Sequence, residues 1–141
     1  MKISARNVFR GKVAAIKSGA VNDEVDLVTD GGDSIVAVVT HESVRSLGLA
    51  VGSEAIALIK ASSVLVMTEG GVRLSARNCL SGKVARVTEG PVSAEVAIRL
   101  RGGAEVHATI TREASIELGL KAGVDATAVI KASSVVLAVA N

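Results

Sequence analysis

The two halves of the sequence are similar to each other. When the chain is compared with itself at an offset of 71 residues, no gap is needed, and about four in ten aligned positions are identical. The runs that recur unchanged are SARN (4–7 and 75–78), GKVA (11–14 and 82–85), LGL (47–49 and 118–120) and KASSV (60–64 and 131–135). This similarity predicts a tandem duplication with a seam near residues 68–72, and two domains, residues 1–69 and 72–141.

Each repeat has the hydrophobic pattern of a small β domain. The strands predicted in the first repeat are 3–16, 21–28, 34–39, 54–59 and 64–67. Val21, Val25 and Leu27 are expected to share one face of the second strand, because side chains alternate along a strand. The segment Asp30–Gly32 is a typical hairpin turn between the second and third strands.

A short helix is predicted after the third strand. Thr40 is a suitable N-cap and Gly48 a suitable end; Thr111 and Gly119 are their equivalents in the second repeat. Five short strands and one short helix per repeat predict an all-β protein of two OB-like, five-stranded Greek-key barrels.

Composition limits how these units are stabilised. The chain is 49% apolar but has one Phe and no Tyr or Trp, so its core must consist of aliphatic side chains. A unit of about 70 residues is marginally stable alone. We therefore expect a homo-oligomer, and symmetric closed rings are the usual form of such assemblies.

The chain is predicted to be soluble and cytoplasmic. It has no uncharged stretch of membrane-spanning length and no apolar signal-peptide region. Its one cysteine, Cys79, is compatible with a reducing compartment.

The two most distinctive repeated runs carry hydrogen-bond donors. SARN supplies a hydroxyl, a guanidinium and an amide, and KASSV supplies an ammonium and two hydroxyls. Every charged side chain in these runs is cationic. Converging donors of this kind suit a small oxyanion, and a helix start such as that at Thr40 adds free backbone N–H groups. The alternative is that the small residues are retained only for packing.

The motifs together resemble the molbindins, or Mop domains, which are molybdate-binding members of the transport-associated OB-type domains. The resemblance rests on SARN followed by GKV, the T-x-x-S helix start with LGL after it, and the KAS run, and it covers residues 2–70 and 73–141. It implies barrels assembled through exchanged strands. It also implies a homotrimer, with the ligand molybdate, and possible use of tungstate, at sites between units.

The resemblance assigns molybdate-binding roles to the SAR, KAS and helix-start positions of both repeats. These residues are Ser4, Arg6, Thr40, Ser43, Lys60, Ala61, Ser62, Ser75, Arg77, Thr111, Lys131, Ala132 and Ser133. Ser43 has no equivalent hydroxyl, because Ala114 stands in its place, and neighbouring Ser115 is an open alternative. A second class of anion site is expected at the turns that contain Gly19, Val21, Gly90 and Val92.

Other functions are less compatible with the sequence. His41 and His107 lie at non-equivalent positions, so no metal-cation site is expected, and His41 is predicted to be a solvated surface residue. One Phe cannot provide a stacking surface for single-stranded nucleic acid. There is no phosphate-binding GxxxxGK[ST] loop and no expected helix-turn-helix. Glu24 and Glu95 recur but have no acid–base partner, so enzymatic activity is not expected.

The sequence therefore predicts a non-enzymatic molybdate-binding protein for intracellular molybdenum storage and homeostasis. The alternative is an anion-responsive oligomer that acts as an interaction or regulatory module. The predicted partners are the oxyanion and further copies of the chain, with no nucleic acid and no membrane.

Overall fold

Alternating aliphatic residues build ten antiparallel strands in the computed structural model, which describes residues 1–141. The strands of the first repeat are β1 (Asn7–Lys17), β2 (Asn22–Thr29), β3 (Ser34–Thr40), β4 (Glu54–Ile59) and β5 (Leu65–Met67). Those of the second are β6 (Asn78–Glu89), β7 (Ser93–Leu100), β8 (Glu105–Thr111), β9 (Asp125–Ile130) and β10 (Val136–Ala138). The remaining elements are helices α1 (His41–Leu47) and α2 (Arg112–Glu117), and 3₁₀ turns at Ala61–Ser63 and Ala132–Ser134.

The strands form two five-stranded sheets, and each sheet takes one strand from the other repeat. Sheet one has the order β10-β4-β1-β2-β3, and sheet two has the order β5-β9-β6-β7-β8. Val136 pairs with Leu58 in sheet one, and Leu65 pairs with Val129 in sheet two. Both sheets curl, so that β10 approaches β3 and β5 approaches β8. The predicted fold class is confirmed: the protein is mostly β, with two curled antiparallel sheets and one short helix in each repeat.

The hydrophobic core is continuous across the two repeats. Its 24 buried side chains are almost all aliphatic, as the composition requires. Leu27 and Ile59 of the first repeat and Ile98 and Ile130 of the second are each 0% exposed. Because one cluster contains residues from both repeats, neither repeat has a separate core.

The predicted alternation on β2 holds for Val25 and Leu27 but is wrong for Val21. Val21 precedes the strand and is 72% exposed. The buried position is taken instead by Asp23, whose carboxylate accepts a hydrogen bond from the backbone N–H of Gly19 at 3.0 Å and contacts His41 Nδ1 at 3.0 Å. His41 is thus a partner of a buried carboxylate, and its side chain is also 43% exposed, as expected of the predicted surface residue.

The predicted helix signals are present. The Thr40 hydroxyl accepts a hydrogen bond from the Ser43 N–H at 3.0 Å, and Gly48 ends α1 with a left-handed φ of 65°. In the second repeat the Thr111 hydroxyl accepts from the Ala114 N–H at 3.1 Å. No helix of the chain has the length and apolar character needed to cross a membrane.

The glycine of each GKVA run is required by close packing. A Cβ atom on Gly11 would lie 2.2 Å from the carbonyl oxygen of Val28, and one on Gly82 would lie 2.2 Å from that of Arg99. These distances are far below van der Waals contact, so only glycine allows the neighbouring strands to approach this closely. Retention of the glycine of GKVA in both repeats therefore has a structural cause.

Candidate anion-binding site

Strand pairing brings the SARN and KASSV runs of each repeat together. Asn7 lies opposite Ile59 in the β1–β4 ladder, so residues 4–6 and 60–62 leave the sheet at the same end. Asn78 lies opposite Ile130 in the β6–β9 ladder and produces the same arrangement in the second repeat. The predicted SAR and KAS residues are therefore neighbours in the fold, although more than 50 residues separate Asn7 from Ile59 in the sequence.

The asparagine of SARN joins the two sheets. Asn7 is 1% exposed. Its side-chain NH₂ donates to the carbonyl of His107 at 2.8 Å and to that of Ile59 at 3.2 Å, and its side-chain oxygen accepts from the His107 N–H at 2.7 Å. His107 is on β8, an edge strand of sheet two. The Asn7 side-chain amide thus hydrogen-bonds both the N–H and the C=O of His107, as the backbone of a neighbouring strand would.

The second repeat makes the reciprocal contact. Asn78 is 2% exposed, accepts from the Val36 N–H at 2.7 Å and donates to the Val36 carbonyl at 2.8 Å. Val36 is on β3, an edge strand of sheet one. We call these two contacts the asparagine clasps. They satisfy backbone groups that an edge strand would otherwise leave unpaired.

Each clasp lies where the SAR and KAS runs of one repeat meet an edge strand of the other repeat. The 3₁₀ turn Ala61–Ser63 packs against β8, the strand that ends at Thr111. The turn Ala132–Ser134 packs against β3, which ends at Thr40. The SAR and KAS runs of one repeat therefore face the strand that leads to the helix start of the other repeat.

The candidate donors are accessible to a ligand. Ser4, Arg6, Lys60 and Ser62 are exposed, as are Ser75, Arg77, Lys131 and Ser133 in the second repeat. Ala61 and Ala132 are each 6% exposed and pack into the structure, so their side chains fix the turns.

The helix-start hydroxyls form a separate group. Thr40 Oγ1 and Ser43 Oγ lie 2.7 Å apart, and no hydrogen bond joins either to the SAR or KAS residues. The turn residues predicted for a second anion site lie next to the helix starts: the Val21 carbonyl accepts from the His41 N–H at 2.8 Å, and the Val92 carbonyl accepts from the Arg112 N–H at 3.0 Å.

The second copy of the helix start lacks the hydroxyl of the first. Ala114 occupies the position equivalent to Ser43. Ser115 is 1% exposed and its hydroxyl has no hydrogen-bond partner. Because Ser115 faces the interior, it does not replace Ser43 at the helix surface.

The arginine of each SARN run is paired with a glutamate of the other repeat. Arg6 Nη2 donates to Glu95 Oε1 at 2.6 Å, and Arg77 Nη1 donates to Glu24 Oε1. A cavity of about 160 Å³ adjoins the first pair and is also lined by Arg86, Thr88, Ala97 and His107. The sequence interpretation missed these acidic partners. Their recurrence at the same offset as the arginines was the available signal.

A second charged cluster lies on the outer face of sheet two. Glu105 accepts hydrogen bonds from Arg86 Nη2 at 2.9 Å and from Arg99 Nη2 at 3.1 Å. These hydrogen bonds, first from Arg86 and then from Arg99, hold the pKa of Glu105 below its ordinary value of 4.5. The hydrogen bond and charge of Glu105 raise the pKa of Arg86 in return. The first repeat has Ala15, Val28 and Ser34 at the equivalent positions and therefore lacks this cluster.

Glu105→Gln should lower the melting temperature slightly at neutral pH, by about 1–3 °C, because exposed ion pairs contribute little. A carboxylate with a lowered folded-state pKa stabilises the fold above its unfolded pKa, and this stabilisation is lost as the pH falls through the folded value. The difference between wild type and variant should therefore become smaller as the pH falls below 4.5, the ordinary pKa of the carboxyl. Thermal unfolding of both proteins at pH 7 and pH 3 measures it, and a difference that persists unchanged at pH 3 would contradict the ion-pair interpretation.

A larger cavity than the one beside Arg6 lies elsewhere. It has a volume of about 810 Å³ and lies between the inter-repeat segment and sheet two, with Met67, Lys83, Arg99, Arg101 and Asp125 in its lining. It contains none of the residues predicted to bind the anion. The chain also has no group of three or more His, Cys, Asp or Glu side chains placed to hold a metal ion.

Comparison with known proteins defines the class. The model of the TOBE domain matches residues 3–66 and 74–137, and the chain therefore belongs to the TOBE domain family, with two domains in tandem. This agrees with the family resemblance predicted from the repeated motifs.

Three individual proteins are similar to the chain. The chain is 57% identical to the cytoplasmic molybdate-binding protein ModG, whose structure was solved with molybdate bound; the match covers 99% of this chain and 100% of that one, with a TM-score of 0.97. It is 45% identical over 139 residues to the molybdenum transport protein ModE of Azotobacter vinelandii, covering 99% of this chain and 52% of that protein. It is 48% identical over 69 residues to a probable molybdenum-pterin-binding protein of Haemophilus influenzae, covering 49% of this chain and all of that protein. The chain thus spans about half the length of ModE and contains two units of the length of the Haemophilus protein.

Proposed function

We propose that this protein binds molybdate without catalysing a reaction, and that tungstate is an alternative ligand. The observation that carries the proposal is the agreement over the full chain with ModG, a protein solved with molybdate bound. The junctions described above supply suitable chemistry, because their exposed charged runs contain only cations and hydroxyl donors. A small dianion is best stabilised by several charge-assisted hydrogen bonds of this kind.

The proposed SAR and KAS ligands at each junction come from one repeat. One site uses Ser4, Arg6 and the Lys60–Ser62 turn, and the other uses Ser75, Arg77 and the Lys131–Ser133 turn. Thr40, Ser43 and Thr111 supply helix-start hydroxyls. The turns at Gly19–Val21 and Gly90–Val92, beside the helix starts, are the proposed second class of site.

A homotrimer is the proposed assembly. The exchanged strands β5 and β10 are edge strands of only three residues each. They expose Leu65 by 66% and Val136 by 59%. Val8 on β1, which pairs with the same residue Leu58 as Val136 does, is 39% exposed. Exposed apolar side chains along a sheet edge are a typical contact between subunits. The helix-start hydroxyls, which form no hydrogen bond with a SAR or KAS residue of their own chain, would reach those of a neighbouring subunit across such an interface.

The proposed role is storage and homeostasis of molybdenum in the cytoplasm. ModG is described as a cytoplasmic molybdate-binding protein with cooperative binding. A protein with several anion sites per assembly and no catalytic constellation is suited to buffering an oxyanion.

Lys60→Ala and Arg6→Ala should each weaken molybdate binding about tenfold or more at the affected sites, because each removes a charged donor to a dianion. Equilibrium dialysis with molybdate, in the presence of excess sulfate and phosphate, measures the bound anion per chain. Lys83→Ala is the matched control, since Lys83 pairs with Asp125 at 2.7 Å outside the candidate site. Lys83→Ala should bind molybdate like wild type.

Two results would contradict these expectations. If wild type retains no molybdate against sulfate, the proposed ligand is wrong. If Lys60→Ala and Arg6→Ala retain as much as wild type, the proposed site is wrong. The mass of the assembly in solution, measured on the same samples, tests the trimer.

A regulatory role is the second candidate. It is favoured by the similarity to ModE proteins, including the transcriptional regulator ModE of Yersinia pestis, at 33% identity over 139 residues and 53% of that protein's length. In this role the anion would change the oligomer and thereby its contact with another protein. Binding of a purified partner only in the presence of molybdate would favour it over storage.

A further inference from the structure

The two arginine–glutamate pairs are equivalent by the duplication. Arg6 and Arg77 differ by the repeat offset, and so do Glu95 and Glu24. Each pair joins a SARN run to the outer face of the other repeat's sheet. The surroundings have diverged: Asp26 is replaced by Ala97, and Val36 by His107. The pair itself has been kept through these changes.

Stability does not explain why the pairs are kept. The arginine side chains are 61% and 56% exposed, and their glutamates are 35% and 24% exposed. Ion pairs with this much solvent access contribute little to folding. The asparagine clasps, one residue further along each run, already join the sheets through partly buried hydrogen bonds. A glutamate beside a cluster of donors would also repel a bound anion.

The Glu95 carboxylate binds the guanidinium of Arg6 as an external oxyanion would. Glu95 presents a negatively charged oxygen to Arg6 at 2.6 Å, the distance of a charge-assisted hydrogen bond. The cavity beside this pair has further donors in Arg86, Thr88 and His107. An anion that enters the junction therefore meets an arginine that already has an acidic partner.

We propose that Glu95 and Glu24 are internal competitors of the ligand, which hold Arg6 and Arg77 in the ligand-free protein and make the sites selective for dianions. This inference rests on the proposed function, because it concerns the same arginines. Binding of an oxyanion at a junction displaces the carboxylate from the guanidinium or proceeds against its charge. Both effects weaken binding, and both vanish when the carboxylate is neutralised.

Selectivity follows from the charges. A dianion is attracted by the cationic groups about twice as strongly as a monoanion at the same distance. The glutamate carries one charge and is tethered next to the arginine, which gives it a high effective concentration. A tetrahedral monoanion gains no electrostatic advantage over this tethered carboxylate, whereas a tetrahedral dianion does.

The test uses the full chain with Glu24→Gln and Glu95→Gln combined, and two probes, molybdate and the monoanion perrhenate. Equilibrium dialysis at constant ionic strength should show molybdate bound about two- to fivefold more tightly by the double variant than by wild type. Perrhenate, which wild type should not retain, should become bound. Glu54→Gln combined with Asp125→Asn is the matched control, because it removes two charges from exposed, repeat-equivalent positions and Asp125 pairs with Lys83, outside the candidate site. It should leave both affinities unchanged.

The sign of the change decides the inference. If the double variant binds molybdate more weakly than wild type, the glutamates position the arginines and the competitor role is overturned. If its molybdate and perrhenate binding equals that of wild type, it is likewise overturned, while the proposed function stands because wild type binds molybdate. If wild type binds no molybdate, both proposals fail. Melting temperatures of the three proteins confirm that the variants are folded.

Discussion

Replacement of Asn7 by alanine is expected to lower the free energy of unfolding by about 2–5 kcal/mol. The variant loses three hydrogen bonds and leaves the N–H and C=O of His107 without their partner at the junction of the sheets. Buried backbone groups that lose a partner are costly because no water replaces it. Urea unfolding of wild type and variant, followed by circular dichroism, gives the difference.

Two further variants make this measurement specific. Asn78→Ala should have a similar effect, since Asn78 forms the equivalent pair of hydrogen bonds with Val36. Asn22→Ala is the matched control: Asn22 is exposed at the start of β2, and its loss should change stability by less than about 0.5 kcal/mol. Equal stability of Asn7→Ala and Asn22→Ala would show that the clasp does not stabilise the fold.

Gly11→Ala is expected to destabilise the protein by about 3 kcal/mol or more, because the new methyl group has no space. Its Cβ would lie 2.2 Å from the Val28 carbonyl oxygen and 2.8 Å from the Cα of Thr29. Both neighbours are backbone atoms of β2, so no side-chain rotation relieves the contact and the two strands must separate. The same urea experiment measures the effect as a lower midpoint.

Gly70→Ala is the control for this substitution. A Cβ on Gly70 meets nothing within 4 Å, and the residue lies in the segment between the repeats. Its variant should unfold like wild type. A Gly11→Ala protein that unfolds at the wild-type midpoint would mean that β1 and β2 are not packed as closely as described.

Local features of the fold were predictable from the sequence. The helix cap at Thr40 and the left-handed Gly48 depend on short-range chemistry, and both are present. The 3₁₀ turn at Ala61–Ser63 was missed because three residues give no periodic signal. Val21 was misassigned because an apolar residue at the right parity imitates the strand pattern, while the buried position belongs to Asp23, whose partners come from the adjacent turn and from α1.

The exchange of β5 and β10 between the sheets, unlike these local features, was not predictable from the hydrophobic pattern. Nothing in residues 65–67 or 136–138 indicates which sheet they join, because both segments have the same apolar character and either sheet has a free edge. The family resemblance implied an exchange, whereas hydrophobic periodicity alone did not. Pairing between Val136 and Leu58 is a long-range choice that only the packed structure reveals.

The candidate site was predicted as a set of residues but not as an arrangement. Repetition identified SARN and KASSV together, and the β1–β4 register explains why they lie at the same end of the sheet. Repetition did not distinguish a ligand from a structural residue. Asn7 and Gly11 recur because they build the junction and the strand contact, and Glu95 recurs as the partner of Arg6.

The exchanged strands determine the molecularity of folding. A chain with one repeat could complete a sheet of this design only with a strand from a second molecule, so its stability would depend on protein concentration. In the present chain the short segment between the repeats makes that step intramolecular, at the high effective concentration of a tether. Because of the duplication, strand exchange occurs within one polypeptide and does not require two molecules to associate. The two repeats should therefore unfold in a single transition, and the contact between them should not make the midpoint depend on protein concentration.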